Sequence, residues 1–111
     1  MKRNILFIGY EPSLNEEITD FIVHRHGKAF FSSSIEQSIH ILDESTINTV
    51  VLTLHKLGDA AILKYINQYY PGVKVLISAS KEYDDIIHVF NKGNFSLLKQ
   101  PLKLEELNSF I

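Results

Sequence analysis

The run Asn48-Thr49-Val50-Val51-Leu52-Thr53-Leu54-His55 constrains the fold more than any other stretch of the chain. Thr49 to Leu52 are all apolar or β-branched, so a strand built from them has no polar face. Both of its sides must be buried, which places it in the middle of a parallel sheet covered by helices on each face. In such sheets, ligands and chemistry collect at the carboxyl ends of the strands. Here that end carries Thr53.

The remaining segments supply the partners such a strand needs. Residues 5–8 form a buried first strand that ends at Gly9-Tyr10. Pro12 and Ser13 open a helix, with Ser13-Leu14-Asn15-Glu16 as a capping box and Leu14, Ile18, Phe21 and Ile22 along one face. Gly27 closes it, with His24, Arg25 and His26 near the negative end of its dipole. A short strand towards an edge covers 28–31. A second capping box, Ser34-Ile35-Glu36-Gln37, starts a helix with Ile35, Ile39 and Leu42 inward. After the central strand, a helix over about 60–70 is closed by Pro71-Gly72. A fourth buried strand covers 73–77 and ends at Ser78, and a helix over about 82–92 is closed by Gly93. A fifth strand covers 95–98, and Pro101 precedes the last helix. Five β-α units with short connections predict an α/β fold, a doubly wound parallel sheet with right-handed crossovers.

Composition narrows the function. A chain of 111 residues with 45% hydrophobic residues and seven Phe is one domain with a real core. A formal charge of -2 argues against nucleic-acid contact, which needs a clustered basic excess. The absence of cysteine removes disulfides and thiolate chemistry, and fits a reducing compartment. Lys2-Arg3 precede an apolar stretch too short for a signal peptide, and no run approaches the roughly 18 apolar residues of a membrane span. The expected location is the cytoplasm. The final segment, residues 105–111, breaks off within a helical pattern, so the chain is expected to be the N-terminal domain of a larger protein.

Residues 5–8 followed by Glu11-Pro12-Ser13-Leu14, then Val50-Val51-Leu52-Thr53-Leu54, carry a resemblance. Tyr70-Pro71 through Val75-Leu76-Ile77-Ser78-Ala79 extends it, and Gly93 through Pro101-Leu102-Lys103-Leu104-Glu105-Glu106-Leu107 completes it. In this order and spacing the chain resembles the receiver domain of bacterial response regulators over essentially its whole length. The resemblance implies a flavodoxin-like five-stranded sheet of order 2-1-3-4-5. It also implies two-component signalling, in which a histidine kinase phosphorylates an aspartate at the end of the third strand. An acidic pair after the first strand helps that aspartate hold Mg²⁺, and a hydroxyl and a lysine grip the phosphoryl group. Carried over position by position, the acidic pair falls on Gly9 and Tyr10 and the acceptor on Thr53. The hydroxyl is kept as Ser78, the lysine falls on Gln100, and the aromatic switch position is Leu97.

These departures remove the chemistry. Mg²⁺ wants carboxylate oxygens, and Gly9, Tyr10 and Thr53 offer none. An acyl phosphate cannot form on a hydroxyl, and a threonine without an adjacent base is a poor nucleophile. Lys99 lies one residue early, which on a strand turns it to the opposite face unless a bulge before Pro101 re-aims it. The loop after Thr53 is also about two residues shorter than is usual in the family and lacks the usual proline. No metal and no cofactor is expected, and no catalytic residue.

Other residues have plainer readings. His24 and His26 are two apart, on different helix faces, and read as a solvated helix end. His55 would need Asp59 to act as a base and reads as a loop residue. Along 82–92, Tyr83, Ile86, Ile87, Val89 and Phe90 span an arc of about 160°, wider than the ~100° a core stripe requires. Either that helix is deeply buried, or its rim is exposed. In receivers this face is the output surface, so Tyr83, Ile87, Phe90, Leu97 and Lys103 form the candidate partner surface, for another protein, an output domain or a second copy.

Three functions stay open. The first is a pseudo-receiver, a non-enzymatic signalling module acting by protein–protein contacts. The second is a phospho-accepting receiver of a phosphorelay with an unusual site. The third is a flavodoxin-like domain binding a small anionic ligand through Ser78, Gln100 and loop amides.

Overall fold

The computed structural model describes residues 3–9, 12–54, 61–79, 95–98 and 104–107. Five strands, β1 (Arg3–Ile8), β2 (Gly27–Ser32), β3 (Thr49–Leu54), β4 (Lys74–Ala79) and β5 (Phe95–Leu98), form one parallel sheet in the order β2-β1-β3-β4-β5. The helices are α1 (Asn15–Val23), α2 (Ile35–Glu44), α3 (Ala61–Tyr69) and a terminal turn of helix, Leu104–Leu107. None of them is long and apolar enough to cross a membrane. The expected helix over 82–92 lies outside the described residues, as do Tyr83, Ile87, Phe90 and Lys103.

The sheet explains the apolar run. Val50, Val51 and Leu52 are fully buried, but on opposite sides. Val50 and Leu52 join Leu6, Ile8, Val75 and Ile77 in a core with Leu42 of α2 and Ile62, Leu63 and Ile66 of α3. Val51 joins Ile5, Phe7 and Leu76 in a second core with Ile18 and Ile22 of α1 and Leu107 of the terminal helix. Strand pairs bring equivalent residues level, Phe7 with Val51 and Val51 with Leu76, so each layer continues across the strands.

Several local expectations need correction. Ser13 does not cap α1. Pro12–Leu14 form a 3₁₀ turn, Leu14 is the cap position without a side-chain bond, and it is 41% exposed instead of facing inward. Proline fixes its own φ and suits this tight entry. Gly27 is not the left-handed residue after α1, because His26 takes that conformation at φ 60°. Gly27 instead opens β2 where the chain is crowded. A Cβ there would lie 2.7 Å from the Arg3 carbonyl oxygen and 2.8 Å from Ile22 Cγ2. The second cap holds in modified form. Ser34 Oγ accepts from the Gln37 N–H at 3.1 Å, while Gln37 Oε1 accepts from the Ser33 N–H at 3.1 Å, not from Ser34.

At the amino edge of the sheet, Asn4 fastens the α2–β3 connection. Its N–H donates to Asn48 Oδ1 at 2.8 Å and its amide Nδ2 donates to the Thr46 carbonyl at 2.7 Å. The Asn48 N–H donates back to the Asn4 carbonyl at 2.9 Å.

Candidate functional site

Because all strands are parallel, Gly9, Ser32, Thr53, Ser78 and Leu98 end up along one edge. Thr53 stands level with Ser78 across β3 and β4, which brings together two of the site positions named from the sequence. Gly9 sits beside them at the end of β1, its N–H donating to the Ser32 carbonyl at 3.1 Å. Tyr10, Lys99 and Gln100 lie outside the described residues, as do His55 and Asp59. Leu97 lies in β5 opposite Ile77.

Gly9 has φ 84°, a left-handed conformation that suits glycine. Ser78 is 1% exposed. Thr53 is half-buried, but its Oγ1 is shut off from solvent and has no hydrogen-bond partner. The same is true of Asn15 Oδ1 in the first turn of α1.

These two orphans belong to one layer. Thr53 follows Val51 by two residues and so shares its side of the sheet, the side covered by α1. Asn15 precedes Ile18 by three and Ile22 by seven, on the stripe of α1 that packs there. Both therefore sit above Val51 and Ile18, towards the carboxyl edge. Buried polar atoms are normally paired, so this layer has unmet hydrogen-bonding capacity.

The donor set does not suit the Mg²⁺ that the receiver resemblance implies. The strand-end residues are glycine, serine, threonine and leucine, and among the described residues no group of three or more His, Cys, Asp or Glu is placed to hold a metal.

Sequence reading missed the buried serines at this edge. Ser32 Oγ and Ser38 Oγ are 2.6 Å apart, and Ser38 Oγ donates to the Ser34 carbonyl at 2.7 Å. Ser38 is fully buried. Its spacing, three after Ile35 and four before Leu42, marks it as inward-facing on α2 and was the available signal.

The sequence matches no protein-family model and no curated protein. Solved structures share its architecture closely. The signal receiver domain of an HD domain-containing protein from Pseudomonas fluorescens Pf-5 superposes with a TM-score of 0.82 at 18% identity, over 98% of this chain and 90% of that one. A response regulator receiver domain protein from Clostridium thermocellum gives 0.79 at 23% identity, over 96% and 89%. NtrX from Brucella abortus, in complex with ADP, gives 0.80 at 14% identity, over 99% of this chain and 25% of that one. The chain thus has the flavodoxin-like fold of response regulator receiver domains.

Proposed function

We propose that this chain is a degenerate receiver, a signalling module of the two-component type that acts through protein contacts and transfers no phosphoryl group. The observation that carries the reading is Thr53. It lies one residue before the end of the central strand, level with Ser78, at the position where the resemblance puts the acceptor aspartate, and its hydroxyl is buried and unpartnered. A hydroxyl without a base and without carboxylates to hold a metal is not a phosphoacceptor. The expected partners are other proteins, an output domain in the same polypeptide among them. NtrX supports this, since its matching region is only a quarter of a longer chain. The surface proposed for output is the rim of Tyr83, Ile87 and Phe90 with Leu97 and Lys103.

The direct test is incubation of the wild-type chain with Mg²⁺ and acetyl phosphate or phosphoramidate, read by intact mass. No mass gain is expected, and Mg²⁺ alone should give no saturable amide shifts at Gly9 or Thr53. Phosphate on Thr53 or Ser78 would instead support the phosphorelay alternative.

The orphaned Thr53 Oγ1 and Asn15 Oδ1 favour one second reading, a small polar ligand at this edge. Asn15 Oδ1 only accepts hydrogen bonds, so it asks for a ligand that also carries a donor and not for a bare anion. A thermal-shift screen of small metabolites addresses it, and a shift lost in Thr53→Val would place the ligand here.

A further inference from the structure

The helices that follow β1 and β2 both begin at the carboxyl edge of the sheet, and their first turns are held very differently. We propose that the first turn of α1 is a lid over the end of β3, which opens on its own while the rest of the domain stays folded.

α2 is fastened where it begins. Ser34 Oγ accepts from the Gln37 N–H, and Gln37 Oε1 accepts from the Ser33 N–H. Ser38 Oγ donates to the Ser34 carbonyl, so the proton in its 2.6 Å contact with Ser32 Oγ comes from Ser32, and that bond ties the helix to the end of β2. α1 begins without such ties. Its cap position is Leu14, which makes no side-chain bond and is 41% exposed. Ile18 stands where α2 has Ser38 and offers only hydrocarbon. The entry is the 3₁₀ turn Pro12–Leu14, whose hydrogen-bond geometry is poorer than that of an α-helix. A helix end without a side-chain cap forgoes the stabilisation that Ser34 gives α2.

Closure also carries a penalty. Asn15 Oδ1 and Thr53 Oγ1 are shut off from solvent without a partner, in the layer between α1 and β3. Opening lets water bond both, so the cost of leaving them unmet favours the open form. Packing limits how far the opening runs. Ile18 and Ile22 are 2% and 1% exposed and lie in one core with Ile5, Phe7, Val51 and Leu76. The far end of α1 is tied as well, since Arg25 Nη1 donates to the Phe21 carbonyl at 2.9 Å and the guanidinium lies 3.6 Å from the centre of the Phe21 ring. The movement is therefore confined to the turn that precedes Ile18. Swung away, that turn uncovers Thr53, which stands level with Ser78, so the lid governs access to the carboxyl edge.

The test is native-state amide hydrogen exchange of the full chain at several low urea concentrations, followed by ¹⁵N spectra. The amides of 18–20 bond back to the first turn of α1, and those of 38–40 occupy the same places in α2. Residues 18–20 should exchange roughly tenfold faster than 38–40, and with little dependence on urea, the mark of a local opening. Thr53→Val and Asn15→Leu each remove one orphaned oxygen and should each slow exchange at 18–20 roughly tenfold. Equal rates at 18–20 and 38–40, or the urea dependence of global unfolding at 18–20, would overturn the proposal without any variant. So would exchange at 18–20 that is unchanged in both variants, or faster, since the oxygens would then not be what favours opening. Exchange reads motion and intact mass reads phosphorylation, so failure here leaves the degenerate-receiver reading untouched.

Discussion

At the scale of single residues, the Thr53 hydroxyl makes a measurable prediction. Leaving a buried hydroxyl unpaired costs about 1–3 kcal/mol, and valine keeps the shape while removing the group. Thr53→Val should therefore raise the unfolding free energy in urea by about 1 kcal/mol. A loss of stability would mean that something engages the hydroxyl in solution. Gly27 makes the opposite prediction. Alanine there meets the Arg3 carbonyl, which as backbone cannot swing away, so Gly27→Ala should destabilise by about 1–3 kcal/mol in the same titration. That a glycine was needed near residue 27 could be read from the sequence as a helix stop. The reason for it could not, since the crowding comes from β1 and α1 meeting in space, while the left-handed turn itself falls to His26.

At the scale of elements, α2 and α3 show what pattern reading captures and what it misses. The Ser34 cap was legible because capping is local, and Ser34→Ala should cost about 1 kcal/mol. The tyrosine cluster was not legible, because Asp43 and Tyr70 are 27 residues apart and only the packing of α3 beside α2 brings them together. The hydrogen bond to Asp43, then burial, then the Asp43 charge push the Tyr70 phenol up to about 12 from its ordinary 10.0. Burial, followed by the bond to Asp43, raises Tyr65 as well. A phenol whose folded pKa is raised contributes stability that is fully present below pH 10 and is lost as pH rises towards 12. Phenolate absorbance should accordingly show Tyr70 ionising late among the five tyrosines, with stability falling over that same interval. In Asp43→Asn the late component should move down towards 10. If it stays, the phenol is held up by something other than Asp43.

At the scale of the whole molecule, the carboxyl edge is a product of the sheet, not of any one segment. Its layout was legible in advance because a parallel α/β sheet must bring every strand end to one side, and the apolar run of β3 announces such a sheet. What the sequence could not reveal was the backbone at these positions. Restoring a receiver site on the family pattern asks for Asp at 9, 10 and 53 and Lys at 100. Thr53→Asp alone is expected to remain unlabelled by acetyl phosphate, since the acidic pair and the lysine are still missing. Adding Gly9→Asp does not simply return a carboxylate. At φ 84° a side chain meets the steric cost of the left-handed region, about 1 kcal/mol, and a carboxylate there also faces the one introduced at Thr53. The combined variant Gly9→Asp, Tyr10→Asp, Thr53→Asp and Gln100→Lys should therefore be less stable than the parent in urea. Its labelling should depend on Mg²⁺, the ion that offsets carboxylate repulsion. Robust labelling of Thr53→Asp by itself, by intact mass, would show that the remaining edge still supports phosphoryl transfer, and the degenerate-receiver reading would fall.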